Sequence, residues 1–118
     1  MRELRDAEPD EREALQQLRR GGVHYEVDEQ TATRVTAGRR VSIPWGQLDG
    51  FRLHFYAFGR GAREGTLEVR LSAGPRRLKV DSAADHFPTL LVHAAQVSRE
   101  RGLTLDPTTL ENLAQLGL

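Results

Sequence analysis

Apolar residues recur at two periods along this chain, and the change falls near Asp81. Before it the spacing is two, as in half-buried strands. After it the spacing is near 3.6, as in an amphipathic helix. His24 to Asp28 alternates, with Tyr25 and Val27 on one face. Thr31 to Thr36 is rich in β-branched residues, which suit a pleated surface. Arg40 to Ile43 predicts a short third strand with Val41 and Ile43 inward, ended by Pro44, which cannot donate a ladder hydrogen bond. Trp45 follows, and Gly46 to Gly50 makes a corner. Phe51 to Phe58 predicts a fourth strand, with Phe51, Leu53, Phe55 and Ala57 on one face and Arg52, His54, Tyr56 and Phe58 on the other. Thr66 to Ser72 places Leu67, Val69 and Leu71 inward and Glu68 and Arg70 outward. Arg76 to Val80 closes the set, with Leu78 and Val80 inward.

Three helices are predicted. Asp10 to Arg20 opens on Asp10, with Glu13 three residues on as a capping box asks, and Gly21-Gly22 ends it. Its apolar stripe, Leu15 and Leu18, is thin, so it docks loosely or is completed by something outside the chain. Phe87, Leu90, Leu91, Ala94 and Ala95 trace one face of the long helix. Ser82 with Asp85 is its expected N-terminal cap, Pro88 belongs in its first turns, and Gly102 is its expected C-terminal stop. Asp106 caps a last short helix with Pro107 at its first position, and Leu110, Leu113 and Leu116 form its expected buried edge.

The order predicts an α+β, mainly β fold: an antiparallel sandwich or partly open barrel of six to seven strands, capped by a C-terminal amphipathic helix. The expected division is an N-terminal helix over 1–20, a core domain over 21–102 and a short helix or tail over 103–118. At 118 residues the chain buries roughly 60–70% of its unfolded surface, enough for a core without staples. It has no Cys, which excludes disulfides, thiolate zinc sites and cysteine nucleophiles. No apolar run approaches the roughly 20 residues that span a bilayer, and the charged N-terminus lacks a signal's apolar region. The expected compartment is the cytoplasm. A piece of a longer membrane-anchored chain would read the same way.

Ile43-Pro44-Trp45, then Leu48, the strand from Phe51, the Gly74-Pro75 hairpin, Phe87-Pro88 and Leu90-Leu91 together resemble the bacterial pleckstrin-homology superfold over Val23 to Gly102. That resemblance implies a scaffold rather than an activity. Eukaryotic members often bind inositol phosphates through a basic first hairpin, whereas here the first hairpin, Glu26 to Arg34, is acidic. The family also serves protein recognition and self-assembly, and its bacterial domains often sit beside membrane segments. The implied function is a non-enzymatic binding or assembly module, at the inner face of the membrane or free of it.

Charge adds a second expectation. The net charge is +0, yet residues 1–33 carry five Arg against nine acidic residues, a net of −4. Residues 34–79 carry ten cations against three acidic residues, a net of +7, and residues 80–118 carry a net of −3. The strands are therefore basic between acidic ends. Guanidinium suits bidentate phosphate contacts, and Arg60, Arg63, Arg76 and Arg77 form the candidate anion-binding set. The alternative to a protein or a second copy is an anionic ligand, phospholipid headgroup or nucleic acid, bound through the basic sheet face, with nucleic acid the less expected of the two. Leu15, Leu18, Leu110, Leu113 and Leu116 are the candidate interface. Metal, cofactor and catalytic residues are not expected: His86 and His93 are seven apart, Ser82 and Asp85 read as caps, and Glu64 with Glu68 reads as a solvated pair. Trp45 is expected in the core or corner beneath the helix.

Overall fold

The alternating region folds into two antiparallel sheets. Strands β1 (His24–Val27), β2 (Thr31–Thr36) and β3 (Arg39–Pro44) form the first, in that order. Strands β4 (Gly50–Ala57), β5 (Gly65–Ala73) and β6 (Arg76–Asp81) form the second. A 3₁₀ turn (Trp45–Gln47) joins them, and helices α1 (Phe87–Glu100) and α2 (Pro107–Gln115) follow. The computed structural model describes residues 22–57 and 65–118, so the predicted first helix lies outside the described residues.

Residues directly opposite in a ladder share a face. Ala32 pairs with Ile43 in the first sheet, and Leu53 with Val69 and Val69 with Val80 in the second. These side chains are all fully buried in one core with Phe51, Leu71, Leu78 and the apolar face of α1. The two sheets thus share a single hydrophobic interior. That interior ends sooner along β4 than alternation predicts: Phe55 is 49% exposed. Its partner Leu67 is only half-buried, and its ring lies against Gly65, which has no side chain to cover it. Glu68, expected to be solvated, is 8% exposed. Arg70 at 2.6 Å and Lys79 at 3.5 Å cover and neutralise it, while Glu64 lies outside the described residues.

Two aspartates set the connections. The Asp28 carboxylate accepts from the Gln30 and Thr31 amides, both at 2.7 Å, and so shapes the β1–β2 turn. Asp49 accepts from the Gly74 amide and the Ser72 hydroxyl, both at 2.7 Å, tying the β3–β4 corner to the β5–β6 turn. Trp45 is buried as expected, with Nε1 donating to the Asp28 carbonyl at 2.9 Å and its ring stacked on His93 at 5.7 Å. Arg101, past the end of α1, donates to the Leu48 carbonyl at 2.8 Å and the Gly46 carbonyl at 2.6 Å, fastening the helix to that corner.

Phe87, Leu90, Leu91, Ala94, Ala95 and Ser98 form the buried face of α1. The expected Ser82–Asp85 cap is absent. The helix begins at Phe87, too late for either side chain to reach its first amides, and His86 enters it in the left-handed region at φ 62° with no side-chain cap. Ser82 instead accepts from the Leu67 amide at 3.1 Å, and Asp85 accepts from the Tyr25 amide at 3.2 Å. Gly102, at φ 65°, ends the helix as expected, with the Leu103 amide returning to the Ser98 carbonyl at 2.9 Å.

Asp106 caps α2 as expected, accepting from the Thr109 amide at 3.2 Å. The buried edge of α2 differs from the leucine pattern. Leu113 is buried, but Leu110 is 53% and Leu116 is 46% exposed. The helix lies along the free edge of β4, where Thr109 Oγ1 accepts from the Leu53 amide at 3.0 Å and Asn112 donates to the Leu53 carbonyl at 2.7 Å. Those edge bonds turn Thr109, Asn112 and Leu113 inward, which leaves Leu110 and Leu116 facing out.

Candidate functional site

The apolar interior stops at one end of the two sheets, and arginines take over the same inner faces. In the first sheet Arg34 pairs with Val41 and with Tyr25, and Arg39 pairs with Thr36. Alternation places Arg34 and Arg39 on the side that carries Ala32 and Ile43. In the second sheet Arg76 pairs with Ala73, on the side that carries Leu71 and Leu78. Three guanidinium side chains therefore extend from inner faces across one open mouth. The mouth is a groove of about 690 Å³, with Arg40 and Arg77 also on its wall. Thr36 adds a hydroxyl, and among the described residues no carboxylate lines it.

Hydrogen bonds show which of these arginines are already engaged. Arg40 is paired to Glu26 at 2.7 Å on the outer face of the first sheet. Arg76 reaches the Ser42 carbonyl at 3.3 Å, bridging the two sheets across the mouth. Arg77 donates to the Gly74 carbonyl at 2.5 Å and to the Arg76 carbonyl at 3.0 Å. Among the described residues no carboxylate pairs with Arg34, Arg39, Arg76 or Arg77. Burial pushes the Tyr25 phenol up, and the charge of Arg34 beside it acts in the opposite direction. The Tyr25 hydroxyl donates to the Lys79 carbonyl at 3.0 Å, which ties β1 to β6.

A second groove, of about 480 Å³, opens on the outer face of the second sheet and takes Arg52, Arg70 and Arg77. Among the described residues Asp106 is its single carboxylate. That carboxyl is held below its ordinary value because the Thr109 side chain bonds it, with His54 at 2.8 Å adding to the effect.

Of the anion-binding residues expected from sequence, Arg76 and Arg77 stand at the mouth, and Arg60 and Arg63 lie outside the described residues. Arg34, Arg39 and Arg40 were not in that set. Carrying the alternation one step past Ala32 in β2 and one step past Val41 in β3 would have placed Arg34 and Arg39 on the inner face. Of the interface candidates, Leu110 and Leu116 are exposed, Leu113 is in the core, and Leu15 and Leu18 lie outside the described residues.

A histidine cluster sits away from both grooves. His24 Nδ1 lies 2.6 Å from an Asp85 oxygen and His86 Nε2 lies 3.9 Å from the same oxygen. The first contact has the distance of an ion pair but not the alignment of a hydrogen bond, since Nδ1 has no hydrogen-bond partner. Among the described residues no group of three His, Asp or Glu side chains is placed to hold a metal ion, and no helix is long and apolar enough to cross a membrane. No protein-family model, curated protein or solved structure matches this chain.

Proposed function

We propose that this chain is a non-enzymatic binding module on a pleckstrin-homology-like frame, and that its mouth holds a phosphate-bearing anion. The observation that carries this reading is the convergence of Arg34, Arg39 and Arg76 from the inner faces of two sheets. Guanidinium stays charged at every physiological pH and offers paired donors to a phosphate. It does not trade protons near neutrality, so a wall of arginines supports binding rather than acid–base chemistry. The test is titration calorimetry of the full chain with inorganic triphosphate, beside flotation with vesicles that contain or lack anionic lipid. Binding should weaken steeply with salt and should be lost in R34Q/R76Q. Absence of binding to both probes at low salt overturns the reading.

A second reading, recognition of a protein or of another copy, is supported by the outward-facing Leu110 and Leu116 on α2. Light scattering of the full chain and of L110S/L116S tests it. A single mass for both, equal to the monomer at high concentration, removes self-association.

A further inference from the structure

The two arginine grooves share Arg77, and they open on opposite faces of the second sheet. Register decides this. Arg76 pairs with Ala73 on the core side, whereas Arg77 pairs with Ser72 and Arg52 with Arg70 on the outer side. The arginines therefore form one track that starts in the mouth, rounds the end of the β5–β6 hairpin and runs on toward Arg52.

We propose that this track binds single-stranded nucleic acid, its phosphodiester backbone following the arginines from the mouth onto the outer face. The proposal rests on the anion-binding reading and names the ligand. A lipid surface is flat and meets one side of the hairpin, not both. A compact phosphate fills one groove and leaves the other unused. A duplex is stiff over about 150 base pairs and does not bend round a single hairpin turn. A single strand bends freely and carries a charge at every residue.

The outer face supplies a reason to favour a nucleic acid over an acidic peptide. Arg52, Arg70 and Lys79 stand directly opposite one another across β4, β5 and β6. Like charges in that position repel. Glu68, one row along, pairs with both Arg70 and Lys79, and among the described residues no carboxylate pairs with Arg52. The oxygens of Asp106 are taken by the α2 cap and His54. Beyond Arg52, on the same face of β4, stand the rings of His54 and Tyr56, with centroids 6.5 Å apart. Tyr56 is exposed. Exposed rings and guanidinium planes stack bases, whereas an acidic peptide has no use for them. The sequence puts Arg52, His54 and Tyr56 on one face near Arg70 but did not favour this partner, because that face reads equally as the outside of a sandwich and nothing in the spacing brings Arg34 and Arg39 beside Arg76.

Fluorescence anisotropy with labelled oligothymidylates tests the proposal on the full chain, with inorganic triphosphate as the compact competitor. A long oligonucleotide should bind at least tenfold more tightly than one too short to round the hairpin, and more tightly than a duplex of equal length. Its log affinity should fall with log salt at a slope near −3, about −0.7 for each of roughly four phosphates. R52Q should weaken the long oligonucleotide several-fold and leave triphosphate unchanged. Arg52 is exposed and, among the described residues, unpaired, so this variant keeps the fold, which its melting curve checks. R77Q should weaken both ligands. Triphosphate binding without any dependence on oligonucleotide length, or an R52Q chain that binds like the parent, overturns the proposal and leaves the anion reading standing. Absence of triphosphate, vesicle and oligonucleotide binding at low salt overturns both. Flotation with anionic vesicles and no oligonucleotide binding assigns the mouth to a lipid headgroup instead.

Discussion

The hydroxyl of Thr109 accepts the amide hydrogen bond of Leu53 at 3.0 Å, and both residues are fully buried. Leu53 lies on β4, the free edge of its sheet, and its carbonyl is taken by Asn112. An edge strand offers its unpaired backbone groups to any passing chain. Here a helix that starts at Pro107 closes that edge with two side chains one turn apart. Thr109→Val keeps the shape and removes the acceptor. It should cost about 1–3 kcal/mol, the penalty of a buried amide left unsatisfied. Urea unfolding measures the loss, and hydrogen exchange at the Leu53 amide should quicken in the variant. Unchanged exchange would show that the edge is closed by something other than Thr109.

The limit of the core along β4 is open to a paired test. Leu53→Ala removes a fully buried side chain and should cost roughly 2–5 kcal/mol. Leu110→Ala, on the outward side of α2, should stay within about 0.5 kcal/mol. Equal losses in chemical unfolding would contradict this packing.

Acid should destabilise the fold through three carboxylates. Asp28 is held below its ordinary value of 3.8 by the Thr31 and Gln30 amides. The Gly74 amide and the Ser72 hydroxyl do the same for Asp49, and the Thr109 side chain with His54 does so for Asp106. A carboxyl whose pKa falls on folding lends stability that is complete above its unfolded value and is lost as pH falls through its folded value. The melting temperature should therefore hold down to about pH 4 and drop on further acidification. Asp49→Asn should flatten part of that drop. Melting profiles of parent and variant that run parallel would exclude a contribution from Asp49.

Trp45 is the one tryptophan, so its emission reports on the corner between the sheets. Trp45→Phe keeps a ring over His93 but leaves the Asp28 carbonyl without its donor. The expected cost is about 0.5–1.5 kcal/mol, read by circular dichroism. In the parent protein, emission should be blue-shifted when folded and move to the red in urea. Emission already at the unfolded wavelength in the native protein would contradict burial of this side chain.

Much of the architecture was legible because it depends on neighbours in the chain. Strand β2 matches its predicted span at both ends, and α1 buries the residues its period predicted. Asp106 and Gly102 act where capping chemistry places them. The errors share a cause. Phe55 alternates correctly but runs past the end of the core. Ser82 and Asp85 have capping chemistry but serve β5 and β1 instead. Leu110 and Leu116 follow an apolar spacing, while hydrogen bonds to another element set the rotation of their helix.

Period, turn chemistry and caps are local quantities. By themselves they determined the order of the described strands, the two described helices, and a basic middle between acidic ends. The arginine mouth belongs to the other category. Arg34 and Arg39 lie about forty residues from Arg76, and no local rule relates them. They meet because Ala32, Ile43, Leu71 and Leu78 are buried in one core. Side-chain alternation then carries the arginines onto the same inner faces, at the end where the apolar layer runs out.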